Sequence, residues 1–131
     1  MLVVHLDDHQ LFTRAMKGVL EKHIPDVQIK DLPDSDKALD YISECLRNKI
    51  KIDLIITDYI HSTVNGVIFS QIVREIEALY SLSIPILLNT MVDNRDDINE
   101  AVRSGLIDCY LLKSASEDEI INAVNLLCSH A

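Results

Sequence analysis

The chain has 131 residues, 48% of them hydrophobic and 25% charged, which is the composition of one folded globular domain. Lys and Arg number 12 against 21 Asp and Glu, and the formal net charge of −9 disfavours nucleic-acid binding by this domain and attachment to an anionic membrane. No apolar run approaches the roughly twenty residues of a membrane span, the N-terminus has no basic lead-in, and Cys45, Cys109 and Cys128 form no Cys-x-x-Cys pair, so reduced thiols in the cytoplasm are expected rather than a disulfide frame or zinc site.

Short apolar runs alternate with amphipathic stretches along the chain. Leu2–Leu6 reads as a buried strand that stops at Asp7-Asp8. Leu11, Phe12, Ala15, Met16, Val19 and Leu20 follow at helical spacing, and Ile24-Pro25 ends that helix. Val27 and Ile29 alternate with polar residues as an edge strand would. Pro33-Asp34-Ser35 supplies a turn and a cap for a helix carrying Ala38, Leu39, Ile42, Cys45 and Leu46. Leu54–Thr57 is a third strand, ended by Asp58. After a loop to Gly66, Val67, Ile68, Ile72, Val73, Ile76 and Leu79 mark a third helix. Pro85–Leu88 is the fourth strand and closes at Asn89-Thr90. Ile98, Ala101 and Val102 line a short helix stopped at Ser104-Gly105. Ile107–Leu112 is the fifth strand and closes at Lys113. Ser116 and Glu119 form a capping box for a last helix with Ile120, Ala123, Val124 and Leu127. Strand then helix, five times, predicts a parallel α/β sheet covered on both faces with right-handed crossovers. That uses the chain as one domain over 1–131, with no stretch left for an output module.

Ligands of such sheets bind beyond the carboxyl ends of the strands. Asp7, Asp8, Asp58, Thr90 and Lys113 stand at those ends. Each alone has a bland reading: Asp after a strand is a common turn former or cap, and a lone Thr or Lys there is usually solvated surface. Together they suggest more. Three carboxylates repel one another and need cations nearby. Lys113 is one; a hard divalent metal held through oxygen is the natural second, and magnesium, which also contacts phosphate, suits it. Asp58 is the candidate nucleophile, since a carboxylate can form an acyl phosphate. Lys113 and Thr90 would stabilise the transferring phosphoryl group, while Asp7 and Asp8 hold the metal. Asp7-Asp8-His9-Gln10 excludes the glycine-rich turn of a dinucleotide site, a P-loop, or the phosphate cradle of a flavodoxin. Ile60 stands where a haloacid-dehalogenase phosphatase has its second Asp.

Asp7-Asp8, Asp58, Gly66, Thr90, Tyr110 and Lys113, in order and at family spacing, resemble the response-regulator receiver domain of two-component signalling over Leu2 to about Leu127. The stretch Asp7–Phe12 is similar to receivers that precede a LuxR-type helix-turn-helix. The resemblance implies a flavodoxin-like fold with strand order 2-1-3-4-5. It further implies phosphoryl transfer to Asp58 from phosphohistidine of a sensor kinase or phosphotransfer protein, with Mg2+. Asp8 would bind the metal directly, Asp7 largely through water, and Asp58 and the backbone carbonyl of Ile60 would complete the ligands. Thr90 and Tyr110 would be the switch residues that alter the face of the fourth helix, fifth strand and fifth helix, and homodimers would pair through the last helices. The domain would modify and demodify itself rather than turn over a substrate. The competing readings are an unphosphorylated interaction module and, failing an obvious acid or base beside Asp58 other than His61, a small phosphohydrolase. Several positions depart from the family. His61-Ser62 replace the common Met-Pro. Ser114 replaces a proline in a cis bond, and without proline a cis bond costs about 3 kcal/mol. Met91 stands where a small residue is common, and apolar Ile60 and Val92 predict slow loss of the phosphoryl group.

Overall fold

The computed structural model describes residues 1–60 and 64–128. Its elements, in chain order, are β1 (Leu2–Leu6), α1 (Gln10–His23), β2 (Gln28–Leu32), α2 (Ser35–Arg47), β3 (Leu54–Asp58), α3 (Gly66–Ala78), β4 (Ile86–Thr90), α4 (Asp96–Arg103), β5 (Cys109–Leu112) and α5 (Glu117–Cys128). The five strands form one parallel sheet in the order β2-β1-β3-β4-β5, the doubly wound arrangement expected from the alternation of elements.

Two apolar cores explain why the inner strands carry no polar alternation. Val3, Leu54, Ile56 and Leu87 pack on one face with Met16 and Leu20 of α1 and Val124 of α5. Val4, Leu6, Ile55, Ile86 and Leu88 pack on the other with Ile42 of α2, Phe69 and Val73 of α3 and Ile98 of α4. A strand covered on both sides is apolar almost throughout; the buried polar exceptions are His5 in β1, Thr57 in β3, and Asn89 and Thr90 in β4. β2 is the edge strand the alternation predicts, and only Leu32 of it is buried.

Local chemistry sets most boundaries. Asp34 caps α2 by accepting the Lys37 N–H at 2.8 Å, and Asn65 caps α3 by accepting the Ile68 N–H at 2.9 Å. The predicted capping box is present at both its bonds, Ser116 N–H to Glu119 Oε1 at 3.2 Å and Glu119 N–H to Ser116 Oγ at 3.1 Å. Gly105, at φ +82°, ends α4 as expected.

Three expectations are corrected, and the open question of the Lys113–Ser114 bond is answered. Leu11 and Ala15 face away from the sheet, Leu11 being 72% exposed, because Met16 and Leu20 set the inward stripe of α1. In α3 the deepest side chain is Phe69, while Ile68 and the post-helical Leu79 are exposed. β5 begins at Cys109, not Ile107: the Ile107 N–H is already committed to Ala101 O, and Asp108 turns its carboxylate onto the Ile86 N–H at 2.8 Å. Lys113–Ser114 is trans, as is every peptide bond among the described residues.

Candidate functional site

The strand ends deliver the five predicted side chains to one edge. Asp58 is the last residue of β3 and Thr90 of β4, Asp7-Asp8 follow β1, and Lys113 follows β5. Lys113 Nζ lies 2.8 Å from Asp7 Oδ2 and 3.3 Å from Asp58 Oδ2. These three side chains are 5%, 1% and 12% exposed, so the ammonium bridges two carboxylates that water reaches poorly. Oxygens of Asp7, Asp8 and Asp58 all lie within 4.8 Å of one another. Thr90 is buried, its Oγ1 accepts the Val92 N–H at 3.0 Å, and its carbonyl accepts the Lys113 N–H at 2.7 Å.

The carboxylates differ in what remains free. Asp7 Oδ1 accepts the His9 N–H at 2.9 Å while Oδ2 takes Lys113. Asp58 Oδ1 accepts the Tyr59 N–H at 2.7 Å. Asp8 is exposed and makes no hydrogen bond or ion pair among the described residues. Three carboxylates against one ammonium leave the cluster net negative and built of hard oxygen donors. That donor set fits a hard divalent cation, with Asp8 offering the unencumbered oxygen.

A cleft of about 360 Å3 opens over this cluster, lined by Asp8, His9, Phe12, Asp58, Ile60, Thr90, Met91 and Lys113. Ile60 and Met91 are 65% and 73% exposed at its rim. A larger groove of about 490 Å3 lies at the opposite end of the sheet, but its lining holds no carboxylate. Chemistry, not volume, therefore locates the site. Gly66 makes the Asp58 end of β3 possible. A Cβ at that position would lie 2.4 Å from Asp58 O and 2.6 Å from Leu88 Cδ1, and the Gly66 N–H bonds Tyr59 O at 2.7 Å.

Sequence reasoning missed three participants. Phe12, read only as a core residue of α1, lies beneath the lysine, with Nζ 4.1 Å from its ring centroid. Tyr59 and Asp97 meet across 38 residues of sequence. No local pattern signals either contact. Tyr110 is half-buried on β5, and its hydroxyl reaches Asp93 Oδ1 at 3.2 Å. His61 lies outside the described residues.

The response regulator receiver domain family matches residues 3–125. The chain belongs to this family. It is a receiver domain of two-component signalling. Among curated proteins it is 26% identical over 125 residues to the transcriptional regulatory protein DegU of Brevibacillus brevis. The match takes in 95% of this chain and 49% of DegU, so this receiver spans about half the length of that relative. Among solved structures it is similar to the signal receiver domain of NarL from Mycobacterium tuberculosis, at 26% identity and a TM-score of 0.80, covering 99% of this chain and 97% of that one. The receiver domain of the histidine kinase CKI1 from Arabidopsis thaliana, complexed with Mg2+ and BeF3−, shares the fold at 19% identity and a TM-score of 0.80, with 95% and 89% covered. No helix among the described residues is long and apolar enough to cross a membrane.

Proposed function

We propose that this receiver is a phosphorylation-switched signalling domain whose acceptor is Asp58. The observation that carries the reading is the Asp58 carboxylate at the floor of an open cleft, 3.3 Å from Lys113 Nζ and beside two further carboxylates. A phosphohistidine of a sensor kinase or phosphotransfer protein is the donor. Its P–N bond breaks as an Asp58 oxygen bonds phosphorus, and the electron pair stays with the imidazole. Lys113 neutralises charge developing on the phosphoryl oxygens, and the Thr90 hydroxyl donates to one of them. Asp7, Asp8, Asp58 and the Ile60 carbonyl would hold Mg2+, which when bound adds positive charge against the same oxygens. Thr90 and Tyr110 then carry the change to the α4–β5–α5 face, where a partner or a second copy is engaged. The domain acts as one receiver unit over the chain, in the cytoplasm, and stores a signal rather than turning over a substrate. DegU is named as a transcriptional regulatory protein, and the −9 charge suits this domain to regulating a partner rather than to touching DNA itself.

Intact mass after incubation with acetyl phosphate and magnesium tests the reading. One phosphoryl group is expected on the wild type and none on Asp58→Asn. No adduct from any donor would leave an unphosphorylated interaction module. The same samples, followed in time after donor removal, should lose the group slowly, because the apolar side chains of Ile60 and Val92 offer no polar group to position an attacking water. A lifetime of seconds would contradict that.

A further inference from the structure

Tyr59 follows the acceptor carboxylate directly and is 7% exposed. It is held at three points. Its N–H donates to Asp58 Oδ1 at 2.7 Å, its carbonyl accepts the Gly66 N–H at 2.7 Å, and its hydroxyl donates to Asp97 Oδ2 at 2.5 Å. Asp97 lies in the first turn of α4. There its Oδ1 accepts from Arg95 Nε at 3.1 Å and from the Ile98 N–H at 3.0 Å. The Arg95 guanidinium closes the assembly, 5.0 Å from the Tyr59 ring centroid.

A buried tyrosine needs some acceptor for its hydroxyl, and a carbonyl of its own layer would serve. This hydroxyl instead reaches the start of another helix. Arg95, at the N-cap of α4, gives no side-chain cap, so the end of α4 nearest the acceptor is secured through Asp97 and Tyr59. Burial works against the Asp97 charge, but the bonds from Tyr59 and Arg95 outweigh it and hold that carboxyl below its usual range. The contact is thus a neutral donor on a charged acceptor, the stronger kind of hydrogen bond.

We propose that Tyr59 is a positioning residue with Asp97 as its anchor: it orients the Asp58 carboxylate through its N–H and ties that carboxylate's state to the first turn of α4. The proposal rests on Asp58 being the acceptor. Esterifying Asp58 moves negative charge from the carboxylate to the phosphoryl oxygens and weakens Oδ1 as an acceptor for the Tyr59 N–H. Any shift of Tyr59 then pulls on Asp97. Linkage makes the effect mutual, so releasing α4 also changes how readily Asp58 is phosphorylated.

Tyr59→Phe and Asp97→Ala test this from the two ends, and Tyr59→Phe isolates the phenol because it leaves the Asp97 bonds to Arg95 and Ile98 in place. The readouts are amide hydrogen exchange and amide NMR shifts in the full chain, with and without acetyl phosphate and magnesium. In the unphosphorylated protein, Tyr59→Phe should raise exchange at residues 95–99 by about tenfold, the loss of one charge-assisted bond, and Asp97→Ala, which also frees the Ile98 N–H, by more. On phosphorylation, the shifts at 95–99 should vanish in Tyr59→Phe and Asp97→Ala and persist at Thr90 and Tyr110. A Tyr59→Phe protein with wild-type exchange and wild-type shifts at 95–99 would overturn the proposal. A wild type that takes up no phosphoryl group refutes the acceptor reading instead, and with it the coupling half of this one. Should Tyr59→Phe fail to fold, the phosphorylation shifts at 95–99 in Asp97→Ala, whose side chain is 36% exposed, carry the test, and their persistence would overturn the proposal.

Discussion

At the scale of single residues, Lys113 has the largest electrostatic task. It is the cation between two poorly solvated carboxylates, Asp7 and Asp58. Removing one partner of such a buried cluster leaves like charges facing each other, at a cost of about 3 kcal/mol. Lys113→Met should therefore lower stability by that amount in urea titration, and millimolar Mg2+ should return part of the loss by replacing the missing charge. Asp97 gives a pH signature. Its folded pKa lies below the ordinary 3.8, so its contribution is complete above that value and is lost as pH falls through the folded value. In acid unfolding, Asp97→Asn should show a shallower decline than wild type below about pH 4, with curves merging only where both proteins unfold. Cys109 illustrates a quiet residue. Burial, then the nearby Asp108, pushes its thiol up to about 11, which keeps it protonated and unreactive at neutral pH.

At the scale of elements, the turn between β3 and α3 is the tightest joint near the site. Gly66 opens α3 with its Cα against the backbone of Asp58 and Tyr59. A methyl group there meets a carbonyl oxygen that cannot swing aside, so Gly66→Ala should destabilise by about 2 kcal/mol and displace the acceptor end of β3. The paired readout is the thermal midpoint together with the rate of phosphoryl uptake. A loss of stability with uptake unchanged would mean that the strain relaxes into α3 and not toward Asp58. α5 is tied differently: its first turn carries Glu117, which meets His23 Nε2 at 2.8 Å and Lys22 Nζ at 3.2 Å at the end of α1. Those bonds hold the Glu117 carboxyl below its usual range, but the group is solvated and acts as orientation more than stability.

For the whole molecule, charge is unevenly spent. A chain at −9 repels itself, and three of its carboxylates crowd one edge. Monovalent salt should therefore raise the thermal midpoint gradually. Magnesium held by the proposed site should raise it further at equal ionic strength, and saturably, because a ligand of one site in the folded state stabilises that state alone. Asp8→Asn should remove most of that saturable part while leaving the monovalent response intact. Equal shifts from sodium and magnesium would mean that the cluster holds no divalent ion.

The sequence by itself determined the order of elements, the two-faced burial of β1, β3 and β4, and the five strand-end side chains; the equally apolar β5 reads as a central strand too, yet it lies half-buried at the sheet edge. Each rests on a local signal: apolar runs, caps at Asp34 and Ser116, a helix-ending glycine at 105, and polar residues where strands stop. Those signals survive because a parallel sheet brings its strand ends to one edge whatever the loops do. Tertiary structure alone decided which helix residues turned inward, Phe69 rather than Ile68 and Met16 rather than Leu11, since a helical stripe fixes a period and packing selects its phase. It alone placed Phe12 under Lys113 and Asp97 against Tyr59. Those contacts join residues far apart in the chain through the crossing of helix and sheet, and nothing in the neighbourhood of either residue records the other.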